Sequence, residues 1–521
     1  MSQGNTARSA KKIMLAIMGS RVLGLIREIV LNAVFGAGKN LDAFYAAFRI
    51  PNLLRDLFAE GALSVSFVTT FSKKMETEGK AAAFKLACQV ISFVCLVLGV
   101  ITLLGIFGSE WIVRVIASGF YSVPGKAELT VQLTRILFPF IFFVSLAAVY
   151  MGLLNSLGSF GLPASASTAF NAVSIISGLA LGWLIDPGLG PNAIYGFAIG
   201  TVLGGIVQFL IQVPRSIQMG FHFRWMPDWK DSGFRQVLML TLPSVIAGAA
   251  VQVNVLVNTQ FASWLENGAV TCLNNAFRLM QLPIGMFGVA IASVVLPAVS
   301  RSAARTDMLN CREKISEGIR LALFLTVPAS VGLAVLAKPI IGIIYQHGAF
   351  TAYSTAQTAM ALQAYTIGLA GYACIKVLAP SFYAIDLPKT PVRISITGIA
   401  INIVLNSMFI FVFKFGLVGL ALSTSLVALV NVLQLAFALR KRIGAYGRMW
   451  GFFARIAISS SLMGLGVYGL RILLESRMTN FWGNLALLVI SISSGIAIFL
   501  SAAWALKMKE LHMLLPIIRK R

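Results

Sequence analysis

Ser20-Arg21-Val22-Leu23-Gly24-Leu25-Ile26-Arg27-Glu28 opens a stretch that continues through Phe35-Gly36-Ala37-Gly38, Asp42-Ala43-Phe44 and Pro51-Asn52-Leu53-Leu54-Arg55 to Phe58-Ala59-Glu60-Gly61-Ala62. Two long apolar segments run through it, and they carry Arg21, Arg27, Arg49, Arg55, Glu28, Asp42, Asp56 and Glu60. Apolar runs of about 20 residues fit the hydrocarbon core of a bilayer. A charge at the centre of one costs roughly 2.5–3.5 kcal/mol on insertion scales. The stretch therefore sets the fold class, an all-α polytopic membrane protein, and marks where function is to be sought.

The rest of the chain agrees. Of its 521 residues, 58% are hydrophobic and 12% charged, with a mean hydropathy of +0.85. Soluble domains carry about 25% charged residues. The net charge of +24 is not a nucleic-acid footprint, because the basic residues lie in short clusters between apolar stretches, as in cytoplasmic loops. Cys88, Cys95, Cys272, Cys311 and Cys374 form no CxxC pair, and His222, His347 and His512 have no ligand spacing. They read as small buried hydrophobes and scattered histidines, with no metal expected. No secretory cleavage site is evident, so the first apolar segment is expected to stay.

Fourteen segments are long and apolar enough to span, at about 13–36, 41–71, 82–108, 129–157, 162–185, 192–214, 235–261, 268–298, 316–337, 354–385, 390–413, 416–439, 450–470 and 481–506. With the N-terminus inside, 28 basic residues fall in the cytoplasmic clusters and seven on the other side. That asymmetry predicts both termini in the cytoplasm.

A repeat of six helices is visible. The linker Asn155-Ser156-Leu157-Gly158-Ser159-Phe160-Gly161-Leu162-Pro163 resembles Pro380-Ser381-Phe382-Tyr383-Ala384-Ile385-Asp386-Leu387-Pro388 at an offset of 225, and Gly196-Phe197-Ala198 resembles Gly419-Leu420-Ala421 at an offset of 223. Six is even, so the halves enter from the same side and predict parallel repeats with a midplane site. The expected lobes are residues 1–214 and 215–447, with two further helices in 448–521.

Along the second segment, Asp42, Arg49, Asp56 and Glu60 are 7, 7 and 4 residues apart and share one helical stripe. Arg21 and Glu28 are also seven apart. Arg55 leaves the stripe unless Pro51 kinks the helix. Asp42, Glu28, Arg49, Asp56 and Glu60 are thus candidates for gating or ion pairing, and a purely structural role is the competing reading for Glu28, Arg49 and Asp56. Arg278 and Lys376 have no acid in their own segments, so an anionic ligand is their expected partner. Arg135 is near an outer end and snorkels. Guanidinium forks match phosphate oxygens. There is no Walker loop, nucleophile elbow, zinc motif or dinucleotide fingerprint, so no enzyme and no cofactor is expected.

The opening stretch, with Phe277-Arg278-Leu279-Met280, Lys376-Val377-Leu378-Ala379-Pro380 and Lys389-Thr390-Pro391-Val392, closely resembles the MurJ/MviN family of lipid II flippases. The resemblance implies the fold of the multidrug/oligosaccharidyl-lipid/polysaccharide exporter superfamily, with two six-helix lobes around an alternately opening cavity. It implies lipid II, the undecaprenyl-diphosphate-linked peptidoglycan precursor, as substrate in the bacterial inner membrane. It assigns required cationic roles to the positions of Arg21, Arg27, Arg55 and Arg278. It places Asp42 at the periplasmic side near Arg27, and gives the last two helices a groove for the lipid tail. Membrane lipids and cell-wall synthesis proteins are the implied partners, with a monomeric chain. Two departures stand out: Phe277 where many relatives have an acid, and Asp56 where some have a base. Span seven lacks the acid of a sodium site described in some relatives, and span eleven offers only Asn402 and Asn406, so that site is not carried over. A flippase for another diphosphate-linked glycan, or a drug or solute exporter of the same superfamily, remains the alternative.

Overall fold

In lipid every backbone polar group must pair within the protein, and a helix satisfies this residue by residue. The computed structural model describes residues 3–58, 62–444, 449–475, 478, 480–511 and 513, and no strand occurs among them. The helices are α1 (Gln3–Phe35), α2 (Lys39–Phe58), α3 (Ala62–Glu78), α4 (Lys80–Phe107), α5 (Ser109–Ile116), α6 (Lys126–Leu137), α7 (Pro139–Ser156), α8 (Gly161–Ile185), α9 (Ala193–Leu210), α10 (Val213–Gln218), α11 (Ser232–Ala262), α12 (Ala269–Pro283), α13 (Val289–Ala304), α14 (Met308–Val335), α15 (Ala337–Tyr345), α16 (Ala352–Ala384), α17 (Lys389–Ser407), α18 (Gly416–Ile443), α19 (Trp450–Glu475) and α20 (Phe481–Ala505).

Eleven continuous helical stretches among the described residues are long and apolar enough to cross a membrane. α1, α2 with α3, and α11 occupy the other three expected segments, which supports the fourteen-span reading. α6 with α7 and α12 with α13 each form one crossing. Pro283 lacks an N–H, and the chain answers with a π-helical turn over Ile284–Gly288 before α13 resumes.

The chain forms two compact units, residues 1–270 with 347–350, and residues 271–346 with 351–521. In the first, Phe67, Phe71, Leu86, Ile91, Val149 and Leu153 bury an apolar core between α3, α4 and α7. α8 and α9 pack closely through small residues, with Gly196 against the Gly182 backbone and Gly200 against Gly178. The stretch 221–228 has no regular structure and lies along α4, where the Arg224 and Met226 amides donate to Cys88 Sγ and Ser92 Oγ. In the second unit, one core joins α13, α14, α16 and α18, and another joins α14, α19 and α20.

The two repeated linkers end their preceding helices in the same way. Ser159 N–H donates to Leu154 C=O and Gly158 N–H to Asn155 C=O. Leu387 N–H donates to Phe382 C=O and Asp386 N–H to Tyr383 C=O. Gly158 and Asp386 are the left-handed residues, at φ 83° and 58°. They are 228 residues apart, so the turns match three residues away from the best residue-by-residue match. All five cysteines are free thiols, and no group of three metal-ligating residues occurs among the described residues.

Candidate functional site

α1 and α2 position most of the intramembrane charge. On α1, Arg21 is exposed. Six residues on, Arg27 is 14% exposed and lies 3.4 Å from Glu28, its guanidinium 5.2 Å from the Phe170 ring centroid. Glu28 is 3% exposed and accepts a 2.5 Å hydrogen bond from the Tyr45 hydroxyl on α2. Asn32 Nδ2 donates to the Glu28 carbonyl. α1 is held on α8 where Asn171 Nδ2 donates to the Ser20 carbonyl. Arg21 and Glu28, expected on one stripe, thus have opposite environments, one exposed and the other buried.

α2 runs through Pro51 without interruption. Arg49 is half-buried. Arg55 folds onto its neighbour Asp56 with Nη2 2.8 Å from Oδ1, and Gln252 Nε2 of α11 is 3.5 Å from Asp56 Oδ2. Glu60 lies outside the described residues. Asp42, at the head of the expected stripe, is completely buried and pairs with Lys126, the first residue of α6, at 2.9 Å.

In the second unit, Arg278 of α12 is half-buried and Lys376 of α16 exposed. The Lys376 stem lies against Gly288 at the π-helical turn. Phe277 packs edge-on against Tyr365 and Tyr372 of α16. Phe277 therefore fills an aromatic niche one turn from Lys376. Arg135 is exposed and donates to Ser109 Oγ at 3.0 Å. Also in this unit, an apolar cavity of about 350 Å³ lies among Phe324 and Pro328 of α14, Met463 of α19, and Ile492 and Phe499 of α20.

At one end of the first unit, which the basic asymmetry of the sequence predicts to be the outer end, backbone segments pack directly on one another and form a seal. Ala349 N–H donates to the Ala33 carbonyl at 2.7 Å. Gly348 (φ +56°) and Gly268 (φ +95°) bring two loops against Ala33 and Ala37, so close that a Cβ on either would overlap a carbonyl. Beside this seal the Asp42 carboxylate accepts from Lys126 Nζ and, at 2.7 Å, from Gly268 N–H.

Sequence reasoning missed Tyr45, Lys126 and Asn267. Tyr45 sits in an apolar run, where nothing in the sequence marks it. Lys126 was counted among the outer-loop bases. Its scarcity there, one of seven against 28 inside, was the available signal.

The family model described as "Lipid II flippase MurJ" matches residues 31–493. The chain belongs to the lipid II flippase MurJ family. The "Probable lipid II flippase MurJ" of Vibrio cholerae serotype O1 is 36% identical over 455 residues, 85% of each chain. The "Lipid II flippase MurJ" of Burkholderia cenocepacia is 37% identical over 427 residues, 81% of each. A solved "Lipid II flippase MurJ, inward closed conformation" superposes with a TM-score of 0.77 at 29% identity, covering 94% of this chain and 97% of that one. A multidrug resistance MATE family transporter of the MOP superfamily, in its inward-facing conformation, shares the fold at a TM-score of 0.69 and 15% identity, with 85% and 99% covered. MurJ family membership, the all-helical fold and a multi-pass membrane position therefore agree.

Proposed function

We propose that the chain moves lipid II from the cytoplasmic to the periplasmic leaflet of the bacterial inner membrane by alternating access, with both termini cytoplasmic and no bond chemistry. The observation that carries this reading is the set of cations on spans that would otherwise be apolar: Arg21, Arg27 and Arg55 on α1 and α2, Arg278 and Lys376 on α12 and α16. Arg21 and Lys376 are exposed, and Arg55 is 25% exposed in its side chain. Groups kept accessible at that cost fit a ligand with several anionic oxygens, such as a diphosphate. Drug cations would call for the opposite charge. The lobes proposed to move are the repeats 1–214 and 215–447. The apolar cavity beside α19 and α20 suits a prenyl chain. Asp42, Glu28, Arg49, Asp56 and Glu60 are proposed to balance and gate these cations. Cell-wall synthesis proteins are proposed as partners of a monomeric chain.

The test is depletion in the native bacterium with lipid II topology followed in intact cells. Lipid II should accumulate on the cytoplasmic face and stop appearing outside. Unchanged outward appearance would remove the reading. If outward lipid II is unchanged while a different diphosphate-linked glycan disappears from the outer face, the substrate is that glycan.

A further inference from the structure

Lys126 is 1% exposed and begins a helix, where the positive end of the peptide dipoles disfavours a cation. Its ammonium is nonetheless fully engaged. It lies 2.9 Å from Asp42 Oδ2, 2.9 Å from Asn267 Oδ1 and 4.1 Å from the Phe120 ring centroid. An ammonium has three donors, and these three partners account for them. Asp42 Oδ2 also accepts the Gly268 amide, just ahead of α12. The pair therefore ties α2 and α6 to the loop 265–268, which packs on Ala37 at the outer seal.

The bonds are of two kinds. Lys126–Asp42 joins two helices of the first repeat, which pack along much of their length. Lys126–Asn267 and Asp42–Gly268 join those helices to the loop between spans seven and eight, in the second repeat. Asn267 is exposed, so water can replace it as an acceptor; Asp42 is buried, and its separation from Lys126 would leave two charges in a dry site. We propose that Lys126 is a positioning residue of the outer gate. It stays paired with Asp42 throughout the cycle, and of the contacts this pair makes, opening breaks only Lys126–Asn267 and Asp42–Gly268. Lys126 thus holds the Asp42 carboxylate aimed at the Gly268 amide, ready to recapture the loop.

This inference rests on the alternating-access reading, but its test reads gate opening without any transport assay. The amides of Gly268 and Ala349 report the seal directly, because each donates across it. Hydrogen exchange is to be measured on the full-length protein in nanodiscs, following peptides that cover 264–268, 347–350, the start of α6 and, as a control, the α8–α9 pair. Lys126→Met should raise exchange in both loop peptides by tenfold or more and leave α8–α9 unchanged. Asn267→Ala, a change at an exposed residue, should raise the 264–268 peptide several-fold and leave the α6 peptide unchanged. Asp42→Asn with Lys126→Met removes the charges together and should restore most of the protection lost in Lys126→Met. Unchanged loop exchange in Asn267→Ala, or strictly additive effects of the two charge removals, would overturn the proposal. A uniform rise in every helix of Lys126→Met would reduce Lys126 to a core residue. Should that variant not fold, Asn267→Ala decides alone. If loop exchange behaves as stated while depletion leaves lipid II topology unchanged, the gate stands and the substrate assignment falls.

Discussion

The Tyr45 hydroxyl donates to the Glu28 carboxylate at 2.5 Å and fastens α2 to α1 through a carboxylate that is only 3% exposed. Arg27 adds a longer 3.4 Å contact to the other oxygen. Tyr45→Phe deletes one donor to a buried charge and leaves the packing of the ring intact. A loss of about 1–3 kcal/mol is expected for such a deletion. Thermal unfolding in detergent should show a lower midpoint, and Tyr45→Phe with Glu28→Gln should be less damaging than the sum of the singles. Equal midpoints for Tyr45→Phe and the parent would show that the hydrogen bond contributes nothing.

The arginine forks give a second prediction. Arg21→Ala, Arg55→Ala and Arg278→Ala should each abolish growth complementation with normal amounts of protein in the membrane. The corresponding lysine variants should be impaired, since lysine keeps the charge but not the planar pair of donors. Arg55→Lys should be the mildest, because its partner Asp56 is adjacent and reachable by a flexible ammonium. Full complementation by the alanine variants would end the diphosphate-clamp idea.

Much of this was legible beforehand, for identifiable reasons. A 20-residue apolar run reports its own helix, so the spans could be read from hydropathy alone. Cost also reveals position: Arg278 and Lys376 stood out because they interrupt such runs. Contacts between helices leave no comparable trace. Lys126 read as a loop residue, and its burial depends on α2 and the 265–268 loop arriving from elsewhere in the chain. Asp42 was read as the head of a charged stripe, yet its carboxylate leaves that stripe for α6. The linker repeat was found, but the turns match at 228 residues because backbone hydrogen bonds, not side-chain identity, define them.

Topology can be checked with thiols. Ser122 and Ala304 are both exposed, and the 28-to-7 basic asymmetry puts them on opposite sides. In a background without the five native cysteines, Ser122→Cys should react with an impermeant reagent in intact spheroplasts. Ala304→Cys should react only after permeabilisation. Ser302, two residues earlier, is buried and would be a misleading probe. Reversed labelling would invert the side assigned to the outer seal.

The N-terminus of α11 is expected to be acid-sensitive. Burial alone would raise the Asp231 carboxyl, but the amides of Phe234 and Gly233 and the Lys74 ammonium outweigh it and hold the group below the usual carboxylate range. A carboxyl depressed by folding contributes stability above its unfolded value, and that contribution is lost as pH falls through the depressed folded value. Hydrogen exchange at the first turn of α11 should therefore rise on acidification below the ordinary aspartate range. Asp231→Asn should flatten that dependence and cost at most about 1 kcal/mol at neutral pH, since asparagine also caps. An acid limb that is identical in the variant would assign it to another group.

The driving force yields the last prediction. Lipid II would leave the cytoplasm with a diphosphate and further carboxylate charge. The cell interior is negative, so outward movement of negative charge is downhill. Each elementary charge is worth roughly 2.3 kcal/mol per 100 mV. Two uncompensated charges would gain on the order of 4–5 kcal/mol per 100 mV, enough to bias the cycle without nucleotide. The same field acts on the empty protein. With Arg21 and Lys376 exposed on their spans, the unloaded cations are drawn toward the negative interior to the extent that they cross the field, which resets the cycle inward. The competing account is passive facilitation, with outward flow maintained by enzymes that consume lipid II outside. Collapse of the potential with an ionophore, the proton gradient being held, separates the two. A potential-driven protein should stop within the time of a few turnovers, and Arg21→Gln with residual activity should show a weaker voltage dependence. Flipping that continues at an unchanged rate would reject the electrical mechanism, because nothing in the passive account depends on the sign of the interior.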